Sequence, residues 1–171
     1  LIGSYLGVLF CGGSGFYLSP VSFVRKPSLW ILAMSRYAAT HMQAPNFAFG
    51  LTARKFSAPT GEKINLSSVR HMINAAEPVD TANIEAFYSR FEEYGLKRGV
   101  IFPTYGLAEH TVYVCSNGQQ ILHVDKIALE TERKVIVLQD PRGGDVSANS
   151  GREVATLVGC GIPNELPDLQ L

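Results

Sequence analysis

Between Val69 and Phe102 the sequence spells a strand, a helix and a second strand in one run. Val69, His71 and Ile73 alternate with Arg70, Met72 and Asn74, the two-residue period of a strand. Asp80 or Thr81 then caps a helix whose Ile84, Phe87, Tyr88, Phe91 and Tyr94 form one apolar stripe. Gly95 stands where a left-handed C-terminal cap belongs. Val100-Ile101-Phe102 is a short apolar run ended by Pro103, which cannot donate to a central ladder. About 25 residues separate the two strands, the length of a right-handed parallel crossover. That connection sets the segments following the strands, NAAEP and TYGLAE, side by side at one edge of a parallel sheet. An open α/β sheet binds its ligand at such an edge.

The residues at this edge each admit two readings. Tyr105 is a ring for a planar ligand to stack on, or a half-buried loop tyrosine. Glu109 is a carboxylate able to hold Mg²⁺ against ligand phosphates, or a turn acid. Glu77, before Pro78, reads as a turn acid, and Asp80 as a helix cap. His41, His71, His110 and His123 lack metal-ligand spacing. His71 reads as core, whereas His41 and His110 fall on expected loops.

The rest of the chain is read around that unit. Residues 1 to 24 carry no charge but hold five glycines and break at Gly12-Gly13. This argues for a buried helix (Leu1 to Phe10) and a short strand (Phe16-Tyr17-Leu18) rather than a membrane span. The turn between them, Gly12-Gly13-Ser14-Gly15-Phe16, fails both the G-x-S-x-G elbow and GxGxxG, so a serine hydrolase is a poor reading. Pro27 to Tyr37 reads as a helix with Leu29, Leu32, Ala33 and Arg36 between core and rim, and Ala38 to Pro45 as a connection. Asn46 to Phe56 reads as a helix with Phe47 and Leu51 on one face, and Ser57 to Lys63 as a loop. Val112 to Cys115 reads as a strand. Ser116 to Arg152 looks like an inserted hairpin-like lobe with a mobile tip at Pro141 to Asp145, after which Thr156 to Gly161 resumes the core.

Fifteen basic side chains balance fifteen acidic ones, which leaves no electrostatic footprint for nucleic acid or an anionic membrane. Three scattered cysteines argue against a disulfide framework or structural zinc and favour a reducing, cytoplasmic setting. The chain opens at Leu1 inside an apolar run, without methionine, and is expected to be part of a larger domain.

Taken in order, LIGSYLGVLFCGG, YLSPVSFVRKPSLW, SRYAATHMQAPNFAFGL, LSSVRHMINAAEPVD, FPTYGLAEHT and LVGCGIP resemble the adenylate-forming ligases, and more narrowly the fatty acyl-AMP ligases. The resemblance implies an α/β fold, the central part of the large domain of such an enzyme. This would be a mostly parallel sheet flanked by helices, spanning residues 1–171 and carrying a β-rich insertion at about 116–152. It implies ATP and Mg²⁺ as cofactors, a fatty acid as substrate, and an acyl carrier protein or a polyketide synthase carrier domain as partner.

The same resemblance assigns roles to individual residues. Tyr105, with Thr104, Gly106 and Leu107, would bind the nucleotide, Ala76-Glu77-Pro78 would line the adenine wall, and Glu109 would be the catalytic metal ligand. Asn46 and Phe47 would border the adenylate and the acyl tunnel. The insertion would hinder the domain rotation that gives coenzyme A access. Three positions depart from the pattern: Ala108 replaces a threonine, Ala75 a glycine and Met42 a polar residue. In the family a phosphate loop precedes this region and a lysine-bearing C-terminal domain follows it, so these 171 residues alone are expected to be inactive. Two alternatives are a non-catalytic binding or scaffolding relative and a long-chain acyl-CoA ligase.

Overall fold

The computed structural model describes residues 2–138 and 152–163. One π-helical turn over Ile2–Leu6 runs into α1 (Gly7–Phe10). After an extended segment come α2 (Pro20–Arg25), which sequence reasoning missed, and α3 (Ser28–Arg36). Strand β1 (His41–Pro45) leads directly into α4 (Asn46–Lys55). Strand β2 (His71–Ala75), helix α5 (Thr81–Phe91) and strand β3 (Ile101–Pro103) complete the crossover unit. The three strands are parallel in the order β1-β2-β3, with Pro45 opposite Ala75 and Asn74 opposite Pro103.

Helix α5 forms for the reasons written in its sequence. Asp80 Oδ1 accepts the Ala82 N–H at 2.9 Å, and Gly95 closes the following turn at φ +87°. Phe87, Tyr88 and Phe91 are buried. They join a ring cluster in which Trp30 meets Phe49 at 5.4 Å, Phe49 meets Phe87 at 5.1 Å, and Phe91 meets Phe56 at 4.9 Å. These edge-on contacts add to simple area burial. Ile31, Met34, Leu66 and Met72 fill the space around them. The Tyr88 hydroxyl accepts the Ile101 N–H at 2.9 Å, fixing the start of β3 to the helix. Arg98 adds a bidentate pair to Glu85 on the surface.

Several expectations are corrected. Ile2 to Phe10 is helical but unburied, with Leu9 75% and Phe10 93% exposed. Phe16-Tyr17-Leu18 forms no ladder. Instead Tyr17 stacks on Tyr5 at 4.4 Å and Phe16 on Tyr37 at 3.8 Å, so ring contacts take the place of strand pairing. Ala38 to Pro45 contains β1 rather than a plain connection, and His41 therefore lies on a strand. The polar HMQAP lacks the apolar alternation that a periodicity argument needs. In α3 Leu29, Leu32 and Ala33 are half-buried and Arg36 is exposed, between core and rim as expected, while Ser28, Ile31 and Met34 form the buried face.

The side chains of β2 divide unequally: Met72 and Asn74 are fully buried, while His71 and Ile73 are half-buried. His71 stacks on Phe102 at 4.1 Å and faces His41 at 5.9 Å, making a ring ladder across all three strands. Desolvation first, and His41 second, hold the His71 pKa below its ordinary value of 6.5. The folded state therefore binds this proton less readily than the unfolded chain. Its stabilising contribution is complete above pH 6.5 and fades as pH falls through the lower folded value. The thermal midpoint is expected to drop between about pH 7.5 and 5.5, and a His71→Phe variant is expected to flatten that part of the profile.

Beyond the sheet, β4 (Cys115–Ser116) and β7 (Ile162–Pro163) pair antiparallel and form the stem of a lobe. Within it β5 (Ile121–Asp125), α6 (Lys126–Thr131) and β6 (Val154–Val158) follow, with Ile121 opposite Val158 and Asp125 opposite Val154. The stretch from Thr156 does not resume the core as expected, because its first three residues complete the lobe's own ladder. The strand expected at Val112 to Cys115 shrinks to its last residue plus Ser116, since Val112 is taken up in the turn described below and Tyr113 and Val114 lie outside the strand. The expected tip at Pro141 to Asp145 lies outside the described residues. No helix among the described residues is long and apolar enough to cross a membrane.

Candidate active site

The carboxyl ends of the three parallel strands deliver three segments to one edge: the start of α4, the loop Ala76-Glu77-Pro78, and the loop beginning at Thr104. Asn74 Nδ2 donates to Asn46 Oδ1 at 3.1 Å inside the protein, and the Thr104 N–H donates to the Asn74 carbonyl at 2.9 Å. The Phe47 N–H donates to Glu77 Oε1 at 2.5 Å. Asn46, Phe47, Ala76, Glu77, Pro78, Thr104 and Tyr105 are thus gathered as the crossover geometry requires.

The backbone demand at this edge falls one residue later than the departure from the family pattern. Ala75 lies within the strand, whereas Ala76 adopts φ +74°, the left-handed region that costs a residue with a Cβ about 1–2 kcal/mol. Glycine there relieves that cost but loosens the unfolded chain. Ala76→Gly is therefore expected to stabilise the protein by about 0.5–1 kcal/mol, read as a higher urea midpoint at unchanged slope.

Tyr105 is held by its main chain and free at its ring. Its N–H donates to the Cys115 carbonyl at 2.9 Å and its carbonyl accepts the Cys115 N–H at 3.1 Å, while the residue is 51% exposed. A ring presented in this way is able to take a base on its face. Thr104 differs. Its hydroxyl donates to the Phe102 carbonyl at 3.0 Å and lies 2.8 Å from Ser116 Oγ, so it braces the loop against the lobe stem. Leu107 is half-buried.

Glu109 sits on a single 3₁₀ turn, Ala108–His110, exposed and without a hydrogen bond or ion pair among the described residues. The chain then doubles back. Thr111 takes φ +65°, ψ −48°, and the Val112 N–H donates to the His110 carbonyl at 2.7 Å, a positive-φ γ-turn. Such turns are strained, and for a β-branched residue more so. Among the described residues no three acids, histidines or cysteines cluster. A metal at Glu109 would therefore take one protein carboxylate and complete its shell from ligand phosphates and water. That is a shell Mg²⁺ accepts.

Sequence reasoning missed Asn74 and Thr111. Asn74 is fully buried with Oδ1 unpartnered, and the available signal was a polar residue on the inward register of β2. Thr111 gave no signal, since nothing in its identity favours φ > 0. A cavity of about 440 Å³ lined by Arg25, Lys26, Ser28, Lys55 and Ser57 includes residues at the other end of α4 and none of the expected site residues. The candidate site is an open sheet edge.

A parallel sheet with flanking helices and loops gathered at its carboxyl edge defines an α/β fold. Residues 1–152 match the AMP-binding enzyme family, and the chain belongs to it. The chain is 33% identical over 165 residues to the medium-chain-fatty-acid–[acyl-carrier-protein] ligase JamA of Moorena producens, covering 95% of this chain and 27% of that protein. It is also 33% identical over 174 residues to the long-chain-fatty-acid–AMP ligase FadD32 of Mycobacterium marinum, covering 94% and 28%. The crystal structure of the fatty acyl-adenylate ligase of Legionella pneumophila in complex with acyl adenylate and pyrophosphate superposes with a TM-score of 0.78. Identity is 30%, over 95% of this chain and 28% of that one. The chain thus spans roughly a quarter of the length of these relatives.

Proposed function

We propose that the chain is part of a fatty acid-activating enzyme that joins a fatty acid to ATP, giving acyl-AMP and pyrophosphate, and passes the acyl group to a carrier-protein thiol. The gathering of Tyr105 and the Ala76 loop at one sheet edge, with Glu109 four residues after Tyr105, carries this reading, and the fatty acyl-AMP ligases among the relatives support it. A fatty acid carboxylate oxygen attacks the α-phosphorus and pyrophosphate leaves. The carrier thiol then attacks the acyl carbon, loses its proton, and expels AMP. The fatty acid carboxylate is itself the nucleophile of the first step, so positioning and charge neutralisation supply the catalysis.

Tyr105 takes the adenine on its ring, with Ala76 and Pro78 lining the same side. Gly106 and Leu107 shape the turn beneath the nucleotide, and Thr104 contributes by holding that turn to Ser116. Glu109 would hold the Mg²⁺, which supplies charge neutralisation at the phosphates when bound. Asn46 and Phe47 face the acyl side. A carrier protein as partner and a cytoplasmic location complete the reading. The direct test is mass spectrometry of the complete protein with ATP, Mg²⁺ and a fatty acid, in which acyl-AMP is expected. A folded protein that makes none contradicts the reading.

The lobe belongs to the same proposal as the obstacle to coenzyme A. The β5–β6 ladder crosses the expected end of the insertion at Arg152, so a clean excision runs from stem to stem, Asn117 through Gly161. Closing β4 to β7 with a short turn is expected to let the enzyme make some acyl-CoA alongside acyl-AMP. An excised, folded variant that forms acyl-AMP but no acyl-CoA counts against this role.

A further inference from the structure

Helix α4 begins without a cap of its own. Its N-cap residue is Pro45, which brings no side-chain acceptor, and the first-turn N–H groups of Asn46, Phe47 and Ala48 have no intrahelical partner. A carboxylate from another segment fills the need: Glu77 Oε1 accepts the Phe47 N–H at 2.5 Å. The positive end of the helix dipole favours a negative acceptor there. The approach follows from the backbone of the preceding residue, because the left-handed turn at Ala76 changes the chain's course just before Glu77. A second tie lies beneath the first, between Asn74 Nδ2 and Asn46 Oδ1.

We propose that Glu77 is a positioning residue whose carboxylate clamps the N-terminus of α4 to the loop after β2, so that the acyl-side and nucleotide-side segments hold one fixed geometry. The proposal rests on the functional reading above and changes the part given to one residue. Ala76 and Pro78 remain to line the adenine, while the Glu77 side chain is committed to the Phe47 amide. The segment that would meet the fatty acid carboxylate is thereby set at a fixed distance from the segment that would hold the adenylate. A reaction limited by positioning depends on such a distance.

The test compares Glu77→Ala with Glu77→Gln, which keeps a neutral acceptor. In hydrogen–deuterium exchange of the complete protein, the Phe47 amide is expected to exchange about tenfold faster in E77A, the loss of one charge-assisted hydrogen bond. In E77Q it is expected to stay within about twofold of the parent. In ATP–pyrophosphate exchange, E77A is expected to raise the KM for fatty acid about tenfold and leave that for ATP within about twofold, with E77Q restoring most of the loss. Unchanged protection of Phe47 in E77A overturns the clamp. A raised KM for ATP with an unmoved KM for fatty acid makes the carboxylate a nucleotide ligand and also overturns it. If the parent shows no exchange activity, the amide data alone decide the clamp and the functional reading is what fails. Should E77A not fold, Glu77→Asp, one methylene short of Phe47, is expected to loosen the same amide, and unchanged Phe47 protection in that variant overturns the clamp.

Discussion

Glu109→Ala in the complete enzyme is expected to lower fatty acid-dependent ATP–pyrophosphate exchange by about 10²–10³-fold, with little change in folding stability. The size follows from the isolation of this carboxylate. No cluster of three acids, histidines or cysteines exists among the described residues, so no neighbouring ligand set is at hand to take over a metal that Glu109 releases. Removing one preorganised charge at a developing phosphoryl transition state typically costs about 3–4 kcal/mol. The neutral effect on stability follows from the same surroundings: Glu109 is exposed and makes no hydrogen bond or ion pair among the described residues. A surface substitution of that kind usually stays within about 0.5 kcal/mol. Glu109→Asp, which keeps the charge and shortens its reach, is expected to fall between the two. Exchange that survives Glu109→Ala unchanged removes the residue from the metal site.

Gly106→Ala is expected to damage the loop itself. A methyl group at Gly106 would stand 1.8 Å from the Val112 carbonyl oxygen, far inside contact distance. Both partners are main chain. Val112 follows the strained Thr111 turn, and Tyr105, on the other side, is bonded through both its N–H and its carbonyl to Cys115. Neither side has a soft coordinate, so the loop must open, and Tyr105 and Glu109 lose their common placement. We expect a loss of several kcal/mol in stability, or a loop that no longer protects the Tyr105 and Cys115 amides. Gly50 provides the contrast. A methyl there meets Asn83 Oδ1 at 1.9 Å, but that oxygen is the end of a side chain and can rotate away. Gly50→Ala should therefore be the milder change of the two in a thermal melt. Equal effects at the two positions contradict the rigid-loop description.

The sequence made the crossover unit legible because every level agreed over that stretch. The α5 stripe, the Asp80 cap, the Gly95 stop and the Val100 run all implied one local structure, and parallel pairing then placed NAAEP beside TYGLAE. Where levels disagreed, the reading failed. The charge-free N-terminal stretch has the composition of a core, yet its rings stack on one another at the surface. Strand β1 is a strand by its pairing with β2 and not by its polar sequence, which carries no apolar alternation. The lobe boundary was set by a change of composition near Arg152, whereas the hydrogen bonds of β6 belong to β5.

The site was legible as a list of residues and not as a set of contacts. Tyr105 and Glu109 could be named from their order in the chain. Nothing in that order told that Thr104 is spent on Ser116, or that the Glu77 carboxylate is spent on the Phe47 amide. Both facts arise from segments distant in sequence meeting at the sheet edge. Left-handed backbone at Ala76 and Thr111 was equally hidden, because neither residue type favours it.

The reaction proposed for this sheet edge is the joining of a fatty acid carboxylate to the α-phosphorus of ATP. It is tested most directly by running the full reaction with a fatty acid whose carboxylate oxygens are isotopically heavy. Attack by that carboxylate makes one of its oxygens the bridge in acyl-AMP, and transfer to the carrier thiol leaves this oxygen on phosphorus. AMP carrying one heavy oxygen and pyrophosphate carrying none are expected. Thioester formation with unlabelled AMP, or with the heavy oxygen in pyrophosphate or free phosphate, would contradict it.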